Sequence, residues 1–400
     1  MLKQNRTINC IGLMSGTSTD GVDVACIELS SKKEIKLIAF ESFAYPDELR
    51  KRLLTIANNS ETNAAEISSL NTKVGITFAN SVLSLISKHR LGKLTLDFIG
   101  SHGQTISHIP KGGVGDHGTL SPSTFQIGDP SIISELTGLT VVSDMRTRDI
   151  AAGGIGAPLT PWAHKKLFGN KNCPTAFLNL GGIANITYIP KDEETGLFGF
   201  DCGPANMIID RLVSYYTKNK KKFDDEGKLA SKGKINKKEL EWLMQNPFLS
   251  MPIPKSTGSE DFGGEFTEKL ILRFQSKKMS INDILATSTS FTAEVIFNSI
   301  DNFFPKDKPI HELIVGGGGV KNRTLMSFLE SKLNPISIIK SDEKGFPHEA
   351  VEAICFAVLA WATISNTPSN VMASTGAKSE VILGNITPGS NFKELYEFKY

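Results

Sequence analysis

Twelve residues near the start, Gly12 to Asp23, read GLMSGTSTDGVD: three glycines, four hydroxyls and two carboxylates set between two runs of strand character. Thr7 to Leu13 before them is mostly apolar with a β-branched bias, and Val22 to Ser30 (VDVACIELS) alternates at period two. Strand, glycine turn, strand is a hairpin. It excludes the P-loop design, in which GxxxxGK[ST] opens a helix whose N-terminus faces phosphate, because both the lysine and the helix are missing. A tip of this composition offers Ser15, Thr17, Ser18 and turn N–H groups to phosphate oxygens. Asp20 and Asp23 would repel phosphate; they suit magnesium waters, a lysine partner or a turn cap. Asp20-Gly21 is also an ordinary turn dipeptide.

The pattern returns at Phe177 to Ile189, FLNLGGIANITYI, with Gly181 and Gly182 at the turn. Two strand-turn-strand units, each opening an α/β stretch, predict two similar domains, which is the division that 400 residues suggest. The boundary is placed near the glycine-rich stretch that follows Asp149, giving domains 1–137 and 138–400, with the tail after residue 379 assigned to either one. Apolar spacing predicts helices over 62–90, 130–137, 205–216, 237–244, 266–274, 281–304 and 348–364. Residues 110–123 read as a polar, glycine-rich loop. In ELIVGGGGVKN a strand runs straight into Gly316, Gly317, Gly318 and Gly319, with a helix from Asn322. Four glycines in a row lower stability. They serve either close approach of a flat or anionic ligand to the backbone, or a flexible turn.

The charge balance, 44 basic against 42 acidic side chains, gives no electrostatic footprint for nucleic acid or an anionic membrane. The lysine run at 218–222 reads as a solvated face. Five cysteines without CxxC spacing indicate neither a disulfide framework nor a zinc site, and point to a reduced, cytoplasmic setting. No signal peptide and no apolar stretch of about twenty residues is visible.

Candidate chemical groups lie at predicted strand ends, where pockets of α/β domains form: His102 and Gln104 in SHGQT, Arg146 and Asp149 in DMRTRD. Arg146 or Arg148 matches a carboxylate in bidentate geometry, or makes a surface salt bridge. Asp201 in FDCGPAN is either a general base or a cap for the helix beginning at Ala205. Glu352 opens an apolar helix, with Glu349 one turn earlier as the competing carboxylate. Cys202 reads as packing.

Nine motifs in order, GLMSGTSTDGVD, SHGQT, QIGD, DMRTRDIAAGGIGAP, LNLGGIANIT, FDCGPAN, KSTG, GGGGVKN and VEAICFA, make the chain resemble the sugar kinase, heat-shock chaperone and actin superfamily. Within it, the chain resembles the anhydro-N-acetylmuramic acid kinases from end to end. The resemblance implies two actin-like (ribonuclease H-like) α/β domains, mixed sheets flanked by helices, with an ATP cleft between them. It implies a kinase using ATP and Mg2+ that opens 1,6-anhydro-N-acetylmuramic acid with water and phosphorylates its 6-oxygen, with Asp201 as the base. The nucleotide would be met by Gly16, Thr17, Ser18, Thr19, Asp20, Gly21, Val22 and Asp23, by Gly181 and Gly182, and by Gly316 to Gly318 with Asn322. The sugar would be met by His102, Gln104, Arg146, Asp149 and Glu352. Metal ligands are not assigned, and a homodimer is left open. Two other readings stand beside this one: a conventional sugar hydroxyl kinase of the same superfamily, and a nucleotide-gated binding module.

Overall fold

The structure is a computed structural model that describes residues 7–16, 19–30, 34–57, 62–115, 118–191 and 196–395. The chain opens with β1 (Ile8–Ser15), β2 (Gly21–Leu29), β3 (Ile35–Ala44), α1 (Asp47–Ala57), α2 (Ala64–Lys88) and β4 (Phe98–Ile109). There follow β5 (Gly113–Gly115), β6 (Gly118–Leu120), β7 (Ser123–Ile127), α3 (Pro130–Thr137), β8 (Thr140–Ser143), α4 (Met145–Ala151) and α5 (Pro161–Phe168). The middle of the chain gives β9 (Thr175–Leu180), β10 (Ile183–Ile189), β11 (Phe198–Pro204), α6 (Asn206–Tyr216), α7 (Lys237–Leu243), α8 (Ser259–Phe262), α9 (Gly264–Ser276) and α10 (Ile281–Phe303). The remainder is β12 (Glu312–Gly316), α11 (Arg323–Leu333), β13 (Ser337–Lys340), α12 (Val351–Ile364), α13 (Met372–Thr375), β14 (Asn385–Thr387) and α14 (Phe392–Leu395).

Two compact units result: Met1–Leu167 with Ala350–Tyr400, and Phe168–Glu349. In the first, the sheet order is β14-β8-β4-β1-β2-β3, with β7 also on β4. Strands β1, β2 and β3 are antiparallel neighbours, while β4 and β8 continue from β1 in parallel. The second unit repeats the arrangement in β11-β10-β9-β12-β13: an antiparallel meander, then two parallel strands on its first member. The recurring hairpin in the sequence is thus the first half of a recurring mixed sheet.

Period-two alternation decides what each strand face meets. In β1, Ile11 and Leu13 join a core with Leu49 and Leu53 of α1 and Leu70, Val74 and Phe78 of α2. Gly12 lies on the opposite face, where a Cβ would stand 1.8 Å from Ala353 O; a Cβ on Gly100 of β4 would stand 2.2 Å from Phe356 O. Helix α12 therefore rests directly on the backbone of β1 and β4, and it is apolar around nearly its whole circumference because nearly every side chain in it is buried.

That contact moves the domain boundary. The sequence division at 137/138 separates β8 from the rest, yet β8 pairs in parallel with β4, and 350–400 returns to the first unit as a whole. The expected loop over 110–123 contains a short antiparallel ribbon, β5 with β6. Asn322 precedes α11 as its N-cap, its Oδ1 accepting from Leu325 N at 3.0 Å.

Candidate active site

In the first unit the hairpin tip is held from below by three side chains. Ser15 Oγ lies 2.7 Å from both Gly21 O and Gln104 Oε1, and the Tyr45 hydroxyl reaches Ser15 Oγ at 3.0 Å. Gln104 Nε2 donates to Gly16 O and Thr105 O, at 3.2 Å each. An amide has two N–H groups and one carbonyl oxygen, and all are engaged in this bracing. Arg50 of α1 holds the tip from the side, with Nε donating to Thr19 O (3.1 Å) and Nη2 pairing with Asp20 Oδ1 (2.7 Å). Thr17 and Ser18 lie outside the described residues.

Beside this tip stands a chain of polar groups. His102 Nδ1 faces two carbonyls, Gly103 O at 2.8 Å and Ser15 O at 3.2 Å, so Nδ1 carries the proton. Nε2 then accepts from Arg146 Nε at 3.0 Å. Burial, and then the Arg146 guanidinium, push this imidazole down to about 3, so it is neutral. Arg146 also donates Nη1 to Gly156 O at 2.7 Å, which fixes the guanidinium plane. Glu352 in the first turn of α12 has its carboxyl raised by burial and by nearby Asp23, with Arg146 opposing. Asp23 accepts from Ser42 Oγ.

In the second unit Asp201 sits on β11 opposite Asn185. Ser256 Oγ (2.7 Å) and Thr257 N (2.9 Å) both donate to its Oδ2, and its own N–H donates to Lys255 O at 3.2 Å. The helix that follows is capped by other groups: Asn206 N donates to Gly181 O, and Ala205 N and Met207 N donate to Gly182 O. Asp201 is not the cap. Since C=O and N–H of a trans peptide point opposite ways, the N–H groups of Gly182 and Ile183 turn away from α6. A Cβ at Gly318 would meet nothing within 4 Å. These features fit an anionic ligand lying against backbone donors.

The family model described as anhydro-N-acetylmuramic acid kinase matches residues 8–389. The chain belongs to the anhydro-N-acetylmuramic acid kinase family. Curated proteins of that name resemble it throughout: 38% identity over 390 residues in Caldanaerobacter subterraneus subsp. tengcongensis, covering 96% of this chain and 98% of the relative. The Clostridioides difficile protein is 41% identical over 386 residues (94% and 98%), and a Bacillus cereus protein 40% over 382 (94% and 98%). Among solved structures, (R)-2-hydroxyglutaryl-CoA dehydratase component A of Acidaminococcus fermentans aligns at TM-score 0.45 with 14% identity, covering 89% of this chain and 99% of its own. A ROK family glucokinase from Streptomyces griseus aligns at 0.38 with 10% identity (88% and 98%). Similarity at that level adds nothing to what the strand order shows. Membership of a kinase family implies ATP as phosphoryl donor. No helix among the described residues is long and apolar enough to cross a membrane.

Among the residues that the sequence singled out, the structure brings some together and engages others in bracing the chain. His102, Arg146, Asp23 and Glu352 gather in one electrostatic cluster. Gln104 braces the hairpin. Asp149 is wholly buried, accepting from Gly156 N (2.9 Å), Thr375 Oγ1 (2.8 Å) and Asn370 Nδ2 (3.3 Å), so it ties two loops together. Val22 is buried in the core of the sheet. Three of the four glycines at 316–319 are packed on their own unit: Cβ atoms there would meet Phe177 Cζ at 2.8 Å, Asn179 Oδ1 at 2.4 Å and Leu180 Cβ at 2.6 Å. Gly317 also needs its left-handed φ of +81°. Arg148 is exposed, and Glu349 pairs with Lys321 in the second unit. Sequence reasoning gave no role to Tyr45, Arg50, Ser256 or Thr257; KSTG carried the last two, and its place beside Asp201 depends on a loop return that no local pattern encodes.

Proposed function

We propose that the chain converts 1,6-anhydro-N-acetylmuramic acid, ATP and water into N-acetylmuramic acid 6-phosphate and ADP, as a cytoplasmic enzyme of cell-wall murein recycling. The observation that carries this reading is Asp201, a carboxylate of the second unit whose orientation is set by Ser256 and Thr257 while the adjoining helix takes its caps elsewhere. Asp201 accepts a proton from water as the water oxygen bonds to the anomeric carbon. The bond from that carbon to the bridging 6-oxygen breaks, and the 6-oxygen takes the γ-phosphoryl group. ATP with Mg2+ supplies that group and charge neutralisation for its transfer. For the phosphates, this reading uses the tip from Gly16 to Gly21, the Gly181-Gly182 turn and the backbone at Gly318. Arg146, oriented by neutral His102, pairs with the lactyl carboxylate of the sugar, and Glu352 hydrogen-bonds a sugar hydroxyl.

The test is one incubation with Mg-ATP and the anhydro sugar in oxygen-18 water, followed by mass spectrometry of the product. A phosphorylated sugar with one heavy oxygen at the anomeric position is expected. Phosphorylation without label would mean a conventional hydroxyl kinase.

A further inference from the structure

Lys255 is 2% exposed, which is rare for a lysine, and among the described residues it makes no ion pair. Its Nζ donates to Leu249 O (3.1 Å) and approaches Phe248 O (3.4 Å). Three rings surround it, with centroids of Phe248, Phe303 and Phe200 at 4.8, 4.9 and 5.7 Å. An ammonium in such a cage gains cation–π attraction and two carbonyl contacts. It still loses most of its hydration, so a methionine of similar length would pack there at less cost.

The position of this costly charge is informative. The Lys255 carbonyl accepts the Asp201 N–H, and the next two residues each provide a donor to Asp201 Oδ2. We propose that Lys255 is a positioning residue for the base: its charged head, clamped in the phenylalanine cage, fixes the Lys255–Thr257 segment that aims the Asp201 carboxylate. This rests on the reading of Asp201 as the base. Burial depresses the ammonium, while the nearby Cys202 and Asp201 work against that shift. The aromatic cage excludes water from one end of the segment, and the carboxylate occupies the other.

The experiment compares full-chain Lys255→Met, Lys255→Arg and Asp201→Asn variants with the parent, measuring kcat, KM for both substrates and Tm. Methionine fills the cage without charge, so Tm is expected to equal or exceed that of the parent. Loosening of the base should lower kcat about tenfold to a hundredfold, with both KM values within about threefold. Arginine keeps the charge and should recover most of the lost rate. A methionine variant within about twofold of the parent kcat overturns the proposal. So does one that loses Tm sharply, which would make Lys255 a stability residue, and so does an arginine variant as slow as methionine. An inactive Asp201→Asn beside a fast Lys255→Met removes only the Lys255 proposal; an active Asp201→Asn removes the base and the proposal together.

Discussion

Three histidines are kept neutral by the fold. Burial is the leading cause in each: His102 and His164 are pushed down to about 3 and His108 to about 4, with Arg146 contributing at His102 and His108. The unfolded chain protonates histidine near 6.5. Between that value and the folded values the unfolded state binds more protons, so stability is fully present above about pH 7 and is lost as pH falls. Asp210 works the other way: burial and Asp224 raise it to about 7, so the native state holds a proton that the unfolded chain has released. The His102→Gln variant isolates one histidine. Its urea unfolding free energy, plotted between pH 6 and pH 4.5, should have a slope smaller than the parent's by about 1.4 kcal/mol per pH unit. Equal slopes would show that His102 titrates normally in the fold. At this scale the candidate site was only partly legible in the sequence. Polar residues at strand ends pointed to the place where His102 and Arg146 meet, but residue type does not say whether Gln104 and Asp149 spend their hydrogen-bonding capacity on ligand or on the chain itself.

Elements were read more fully, because hydrophobic period is a local signal. The hairpins β1-β2 and β9-β10, the long helices α2 and α10 and the strand before the four glycines all stand where period and turn residues place them. The ribbon β5-β6 was missed: strands of three residues carry too few alternations to rise above their glycines. The partner of α12 was equally invisible, since an all-apolar helix announces burial but not against what. The structure identifies the contact through Gly12, and this gives a prediction. Gly12→Ala places a methyl group where Ala353 O now stands, which forces α12 off the sheet and should cost about 3 kcal/mol or more in urea unfolding. A loss under about 1 kcal/mol would show that helix and strand separate easily.

At the scale of the whole molecule, one unit is continuous in the chain and the other is not. Phe168–Glu349 carries its own five-stranded sheet and its own core. Expressed alone, it should unfold cooperatively with native-like far-ultraviolet circular dichroism. The 1–167 fragment lacks α12 and β14, leaving the backbone face of β1 and β4 bare. It should aggregate or bind an apolar dye, and addition of a peptide spanning 350–395 should reduce that binding. A soluble, cooperative 1–167 fragment would contradict the account of α12 as part of the first core.

The return of α12 also sets a timetable. A ribosome adds roughly 5–20 residues per second, so the stretch from Phe168 to Glu349 takes about ten to forty seconds to make. Throughout that interval the first sheet has been synthesised without its cover. The nascent chain therefore presents an apolar, glycine-bare strand surface long before the segment that will hide it exists, and its yield in a cell depends on what shields that surface in the meantime.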